Sequence, residues 1–376
     1  MIPGDLGATR ERRASRVRER MRTAGVDVLL LSLGADLPWL SGYEAMPLER
    51  PTVLVFPADD RATLVVPELE APRVAVDERL FALRPYRESG DAVAITAELV
   101  GRRRRVAVSD RAWAGLLLAL QASLPRATWS RASVVTGPER AVKDEREIAA
   151  LLAAGAAADR VASALLAGEI ALIGRTEAEV AGEISARLLA QGHAKVNFAI
   201  VGAGPNSASP HHAAGSRRIV AGDPVVCDFG GTFRLGGDVG YCSDVTRTIV
   251  TGEPSSEMRD LYDVVERAQA AAVAAVAPGL ACGEVDRVGR RIIAGAGFGA
   301  AFIHRIGHGI GIEEHEGPYL VEGNEARLEV GHAFSVEPGI YLAGRFGARI
   351  EDVVVVSGDG VLRCNAADRA LHVVAV

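Results

Sequence analysis

Two kinds of apolar pattern divide the chain: residues recurring at helical spacing, and short continuous or alternating runs. From about Thr9 to Ala24 an arginine-rich segment reads as a helix stopping at Gly25, and the apolar run Val26–Leu31 behind it reads as a strand. Further strand-like runs at Thr52–Phe56 and Ala62–Val66, bounded by Pro and Asp turn residues, make the first third a small α/β domain. Past Val134–Val142 the pattern changes, and a domain boundary is predicted there, separating residues 1–135 from 136–376. Asp144 is placed to cap a long helix with Ile148, Leu151, Leu152, Val161 and Leu165 on its apolar face and Gly168 at its end. Thr176 and Glu179 form a capping box for a second helix whose stripe is Val180, Ile184 and Leu188. Strands are predicted at Val196–Val201, Pro224–Phe229 and Tyr241–Val250.

The order then returns. Ser255 caps a helix through Met258, Leu261, Val265 and Ala268 that stops at Pro278-Gly279, and another helix runs from about Gly283 to Ala294. Strands follow near Ala333–Glu337, Gly339–Tyr341 and Arg349–Val356. Helix, helix, strands thus occurs twice after Lys143, which predicts a domain of two similar halves although no sequence repeat joins them.

Composition narrows the function classes. With 376 residues, 49% hydrophobic and 24% charged, the chain can bury large cores and reads as soluble and globular. A formal charge of −6, from 42 basic and 48 acidic residues, offers no general attraction to nucleic acid or anionic membrane. The arginines between Arg10 and Arg22, and the run Arg102–Arg105, lack interleaved aromatics and read as solvated faces, so no nucleic-acid partner is expected. The Ala-rich stretch Ile148–Leu172 is interrupted by Asp159, Arg160 and Glu169 and reads as a soluble helix, not a membrane span. Met1–Arg22 lacks an apolar stretch behind its basic residues, so no secretory signal and a cytoplasmic location are expected. Cys227, Cys242, Cys282 and Cys364 form no C-x-x-C pair and are expected to be buried thiols.

The candidate chemistry lies in the second half. Asp228 stands inside the apolar run Val225-Val226-Cys227-Asp228-Phe229-Gly230, where an unpaired carboxylate is costly to bury. Strand alternation places Asp244 on one face with Thr246 and Thr248, and a hairpin between the two segments would bring both aspartates together. Like charges that close repel and raise one pKa strongly unless a cation is present, so paired inward aspartates favour a metal. His308 in Gly307-His308-Gly309-Ile310-Gly311, Glu337 before Pro338-Gly339 and Glu351 in Arg349-Ile350-Glu351-Asp352 complete a set of four carboxylates and one imidazole. Such oxygen-rich ligation suits Mn²⁺, Co²⁺, Fe²⁺ or Zn²⁺ better than a soft copper site. So many anionic ligands fit two metals about 3.5–4 Å apart, bridged by carboxylates, better than one. There is no H-E-x-x-H or G-x-S-x-G, and Gly202-Ala203-Gly204 has Ser207 where a dinucleotide-binding loop needs its third glycine.

These residues resemble, in order, the signatures of the pita-bread metallopeptidase family that includes prolidases, Xaa-Pro aminopeptidases, methionine aminopeptidases and creatinase. The matching segments are Pro210-His211, Asp228-Phe229-Gly230, Ser243-Asp244-Val245-Thr246-Arg247-Thr248, Gly307-His308-Gly309-Ile310-Gly311, His315-Glu316, Glu337-Pro338-Gly339-Ile340-Tyr341 and Arg349-Ile350-Glu351-Asp352. The first 135 residues, with Asp36-Leu37-Pro38-Trp39-Leu40-Ser41-Gly42-Tyr43, resemble the smaller N-terminal domain of the proline-specific branch. The resemblance implies an α/β (α+β) protein with a C-terminal pita-bread domain behind a creatinase-like N-terminal one. It implies that Asp228 binds one metal, that Asp244 and Glu351 bridge two, and that His308 and Glu337 complete the second. The two ions would be divalent, Mn²⁺ first, with Co²⁺, Zn²⁺ or Fe²⁺ as alternatives. A metal-bridging water would attack the carbonyl before proline in a peptide substrate, with Glu337 as proton shuttle and His211 and His315 facing the substrate. Arg349 and Asp352 would support the ligands, and a homodimer is suggested.

Two departures qualify the match. The stretch between Asp228 and Asp244 is longer than the shortest family hairpins and could form an extra flap near the site. Some prolidases carry an arginine beyond the His-Glu-x-Pro segment to hold a dipeptide carboxylate, whereas Tyr319 follows Pro318 here, which weakens a strict dipeptidase expectation. The rival readings on the same fold are a metal-free hydrolase like creatinase and an inactive peptide-binding module.

Overall fold

The computed structural model describes residues 5–374, which form two compact units. One unit reaches to Arg140 and takes in Gly237–Val239; the other spans Ala141–Gly236 and continues from Gly240.

The first unit contains α1 (Leu6–Ala24), β1 (Val28–Leu31), α2 (Asp36–Ser41), β2 (Val53–Pro57), β3 (Ala62–Pro67), β4 (Phe81–Tyr86), α3 (Ala92–Val100), β5 (Arg105–Val108), α4 (Ala114–Ser123), β6 (Thr128–Arg131) and α5 (Ser133–Ala141). Its six strands make one mixed sheet in the order β4-β3-β2-β1-β5-β6. Helix α1 begins three residues earlier than its apolar pattern predicts, because Asp5 caps it by accepting from the Gly7 N–H. Its arginines are not simply a solvated face: Arg13 is fully buried, with its guanidinium 5.4 Å from the Trp39 ring centroid and Nη1 donating to the Trp39 carbonyl. Arg16 and Arg20 both bind Glu139, and in the later run Arg103 and Arg105 pair with Asp59 and Asp27.

The second unit contains α6 (Glu145–Leu166), α7 (Glu177–Ala190), β7 (His193–Ala203), β8 (Pro224–Arg234), β9 (Gly240–Cys242), β10 (Val245–Thr251), α8 (Ser256–Ala275) and α9 (Cys282–Gly295). It continues with β11 (Gly307–Gly309), β12 (Glu316–Leu320), β13 (Ala333–Val336), β14 (Gly339–Leu342), β15 (Phe346–Arg349), β16 (Asp352–Ser357), β17 (Gly360–Arg363) and β18 (His372–Val374). One sheet runs β18-β10-β8-β7, with β9 paired to β8; a second runs β12-β11-β13-β16-β17, and β14 pairs with β15 in a small third. Helices α6 and α7 cover the first: Ala158, Val161, Leu165, Val180, Ile184 and Leu188 pack with Val201, Val225, Phe229 and Ile249. Helices α8 and α9 cover the second, with Leu261, Val265, Val285 and Ile293 against Phe334, Val336 and Val354. Each fully buried aliphatic side chain of these clusters contributes about 1.5–3 kcal/mol.

Local capping explains the helix starts. Asp144 and Glu147 close a capping box on α6, Thr176 and Glu179 on α7, and Ser255 caps α8. Helix α6 has the length and apolar composition of a membrane span, yet its acidic residues are committed inside the unit. Glu147 accepts from the Tyr241 hydroxyl at 2.7 Å, and Asp159 accepts from Asn365 and the Ala366 N–H.

Three predicted strands differ, and the differences matter for the site. Tyr241–Val250 is broken at Ser243–Asp244, Arg349–Val356 is broken at Ile350–Glu351, and the strand before Glu337 ends at Val336. Asp244 therefore lies in a break, not on a regular strand face. The cause is close approach: at Gly230 a Cβ atom would stand 2.1 Å from the Ser243 carbonyl oxygen. The Ser243 hydroxyl holds the break, donating to His193 Nε2 at 2.8 Å and accepting from the Gly231 N–H at 3.1 Å. The second break carries the link between the two sheets, where Thr246 and Glu351 form an isolated bridge.

Candidate metal centre

Asp228 sits mid-strand on β8, opposite Thr246 of β10 and Ile200 of β7. Asp244 and Glu351 occupy the two breaks, His308 is the middle residue of β11, and Glu337 follows β13. All five line one cavity of about 750 Å³. Ligand-type atoms of Asp244, His308 and Glu351 lie within 4.8 Å of one another. His308 Nε2 is 3.3 Å from Glu337 Oε1 and 3.8 Å from Asp244 Oδ2. Gly307 and Gly309 flank His308 because the Ser335 and Gly317 carbonyl oxygens stand 1.9 and 2.2 Å from where a Cβ would be.

The donor set fits cations. Asp228 Oδ1, Asp244 Oδ1 and Glu351 Oε1 are buried with no hydrogen-bond partner. Leaving a buried carboxylate oxygen unmatched costs about 1–3 kcal/mol or more. Burial, then repulsion from Glu351 and Asp228, holds the Asp244 carboxyl well above its usual range; burial, then Glu337 and Asp228, does the same to Glu351. Burial pushes Glu337 up to about 7. His308 is driven the other way, down to about 3, chiefly by burial, so its short contacts to acids are not ion pairs. Its Nδ1 is 3.2 Å from the Gly309 carbonyl, which can only accept, so the proton sits on Nδ1 and Nε2 presents a lone pair to the carboxylates. Four carboxylates and a neutral imidazole lining one cavity, with three carboxylate oxygens left without a protein donor, fit divalent cations.

The remaining oxygens are fixed by named neighbours. Arg349, 2% exposed, donates to Asp228 Oδ2 through Nη2, to Thr246 Oγ1 at 3.1 Å and to the Tyr341 hydroxyl at 2.9 Å. The Thr246 hydroxyl donates to Glu351 Oε2 at 2.6 Å. Arg247 donates to the Glu351 carbonyl at 2.7 Å and to Asp352, which also accepts from Gln269.

His211 and His315 both line the cavity, and both are exposed. The His315 ring lies 3.8 Å from that of His308, and its Nδ1 accepts from Arg305 Nη2 at 3.2 Å. The loop carrying His211 is tied down by buried Glu177, whose oxygens accept from Ala203 N, Asn206 Nδ2 and Gly215 N and contact His212 Nε2. Tyr319, the residue after Pro318, lies beneath the Arg305 guanidinium, 4.5 Å from it. The long hairpin does not line the cavity: β9 pairs back on β8, and the tip Gly237–Val239 groups with the first unit, so the flap expectation is not met.

Sequence reasoning missed His304 and Tyr341. Tyr341 accepts from Arg349 and bonds His304 Nε2 at 3.0 Å, while His304 Nδ1 donates to the Arg305 carbonyl at 2.7 Å. Burial holds His304 down to about 4 and Tyr341 up to about 12, so both stay neutral near pH 7. An aromatic in an apolar run looks like core, and only its convergence with Arg349 distinguishes it.

The chain is similar to known proteins over most of its length. Residues 149–358 match metallopeptidase family M24, and residues 13–142 match the creatinase/prolidase N-terminal domain. A probable dipeptidase PepE of Mycobacterium tuberculosis is 42% identical over 357 residues, covering 94% of this chain and 93% of the relative. An Xaa-Pro dipeptidase of Lactobacillus delbrueckii subsp. lactis is 36% identical, covering 89% and 92%. Among solved structures, the dipeptidase PepE of Mycobacterium ulcerans superposes with a TM-score of 0.92 at 41% identity over the whole of both chains. The prolidase of Thermococcus sibiricus gives 0.89 at 34%, covering 96% of this chain and 98% of the other. With the family match spanning more than half its length and both helix-covered sheets in place, the chain has the pita-bread fold and belongs to metallopeptidase family M24.

Proposed function

We propose that the chain hydrolyses the Xaa-Pro bond of dipeptides or short peptides with two divalent metal ions held by Asp228, Asp244, His308, Glu337 and Glu351. The observation that carries this reading is the set of three buried carboxylate oxygens without a hydrogen-bond partner, on residues that line one cavity with a neutral histidine, in a chain whose relatives are named dipeptidases and Xaa-Pro dipeptidases. When bound, the ions supply Lewis-acid polarisation of the scissile carbonyl and acidify water near neutral pH. Mn²⁺ is the first candidate.

The chain's own residues do the rest. Glu337, whose proton range is raised to about 7, is suited to take a proton from the attacking water and return it to the departing proline nitrogen. Arg349 and Thr246 hold Asp228 and Glu351 so that one oxygen of each stays free for a cation. His211 and His315, exposed in the cavity wall, are positioned to donate to the peptide carbonyl as it becomes tetrahedral. The same reading carries a cytosolic, homodimeric enzyme, which fractionation and sedimentation would check.

The test is hydrolysis of matched Xaa-Pro dipeptides and Xaa-Pro-containing tripeptides by metal-stripped protein, before and after adding Mn²⁺, Co²⁺ or Zn²⁺, with metal content measured in parallel. About two ions per chain and metal-dependent cleavage are expected. No cleavage under any metal would move the assignment to a metal-free hydrolase or a peptide-binding module.

A further inference from the structure

Asp228, Asp244, Glu314, Glu337 and Glu351 line the cavity, so a substrate bringing a negative charge into it needs a cation not already committed to those acids. A dipeptide does bring one: its free carboxylate lies a single residue beyond the scissile bond. The arginines lining the cavity are Arg305 and Arg349. Arg349 is buried, and its guanidinium already donates to Asp228, Thr246, Tyr341 and the Pro210 carbonyl. Arg305 differs. Among the described residues its side chain has no carboxylate partner: it donates to His315 Nδ1 and stacks on the Tyr319 ring.

On the basis of the peptidase reading above, we propose that Arg305 receives the free carboxylate of a dipeptide and so makes this site favour dipeptides over longer or capped peptides. The contact with the Tyr319 ring, 4.5 Å from the guanidinium carbon to the ring centroid, holds the group without consuming its N–H donors. A guanidinium has five such donors, and the bond to His315 uses one. The remaining edge can meet a carboxylate with two parallel hydrogen bonds. The backbone at Arg305 is anchored by the bond from His304 to its carbonyl, 2.7 Å long. Ile303 and Val321, both exposed and lining the same cavity, add apolar surface to it, which strengthens a charge pair formed there.

The experiment uses the metal-loaded full chain with three substrates: Leu-Pro, Leu-Pro amide and Leu-Pro-Gly. The wild type is expected to favour Leu-Pro over its amide by at least about tenfold in kcat/KM, the scale of one charge-assisted hydrogen-bond set. Arg305→Met should lower kcat/KM on Leu-Pro by roughly tenfold to a hundredfold, mostly through KM, and affect the amide at least about tenfold less. Arg305→Lys should recover part of the loss, because it restores charge but not the planar fork. Equal losses on acid and amide would overturn the proposal, since that pattern belongs to an arginine acting through His315. A wild type that cleaves all three substrates without preferring the acid would also overturn it while leaving the peptidase reading intact. If none of the three is cleaved under any metal, the peptidase reading fails and this inference with it.

Discussion

Removing the metals should make the stability of the second unit depend on pH through Glu337. Its carboxyl moves from an ordinary 4.5 up to about 7 on folding, so the folded chain binds that proton more tightly than the unfolded chain does. The associated destabilisation is absent below pH 4.5, grows as pH rises, and is complete above about 7. At about 1.36 kcal/mol per pH unit, Glu337 should destabilise metal-free protein by roughly 2–3 kcal/mol at pH 8 relative to pH 5. For a unit of this size that corresponds to roughly 5–10 °C in Tm. His308 and His304, held down to about 3 and about 4, run the other way, because unfolding lets them take a proton below about pH 6.5. The informative quantity is therefore a difference between two proteins. Metal-stripped wild type and metal-stripped Glu337→Gln would be unfolded calorimetrically at both pH values. The variant should gain roughly 2–3 kcal/mol on the wild type between pH 5 and pH 8, because it has no charge to bury there. Excess Mn²⁺ should abolish the wild type's pH-dependent deficit. Parallel pH dependence in the two stripped proteins would refute the reasoning.

Other outcomes follow from named contacts. Asp244→Ala should lower metal content and reduce Xaa-Pro hydrolysis below about 1% of wild type while leaving the metal-free Tm at or above the parent value, since it removes a buried charge that repels Glu351; full metal-dependent activity in that variant would contradict the ligand assignment. Tyr341→Phe removes the hydroxyl between Arg349 and His304 and should lower kcat by roughly tenfold to a hundredfold with a Tm shift of only a few degrees, as read by steady-state kinetics beside thermal unfolding. Gly230→Ala places a methyl 2.1 Å from the Ser243 carbonyl oxygen, which should cost about 2–4 kcal/mol and weaken metal binding by displacing Asp244, measurable by denaturant titration and metal calorimetry.

Much of this protein can be read without its structure because the signals are local. Asp144, Thr176 and Ser255 mark helix starts, since a cap depends only on the next three residues. The ligand candidates are visible for a related reason: a carboxylate amid Val225, Val226, Cys227 and Phe229 is anomalous in any fold.

What tertiary structure alone decided is how those groups face one another. The breaks at Ser243–Asp244 and Ile350–Glu351 are marked by no glycine or proline in either segment, because they arise from the Gly230 approach and the Thr246–Glu351 bridge, contacts between separate segments of the chain. Arg13 is buried because Trp39 receives it, and Tyr341 joins the site because Arg349 and His304 meet its hydroxyl. The sequence by itself determined which elements form and which residues are too polar for their surroundings. Their convergence on one cavity depended on packing, because hydrophobic burial sets where the strands cross and only the crossing brings the charges together.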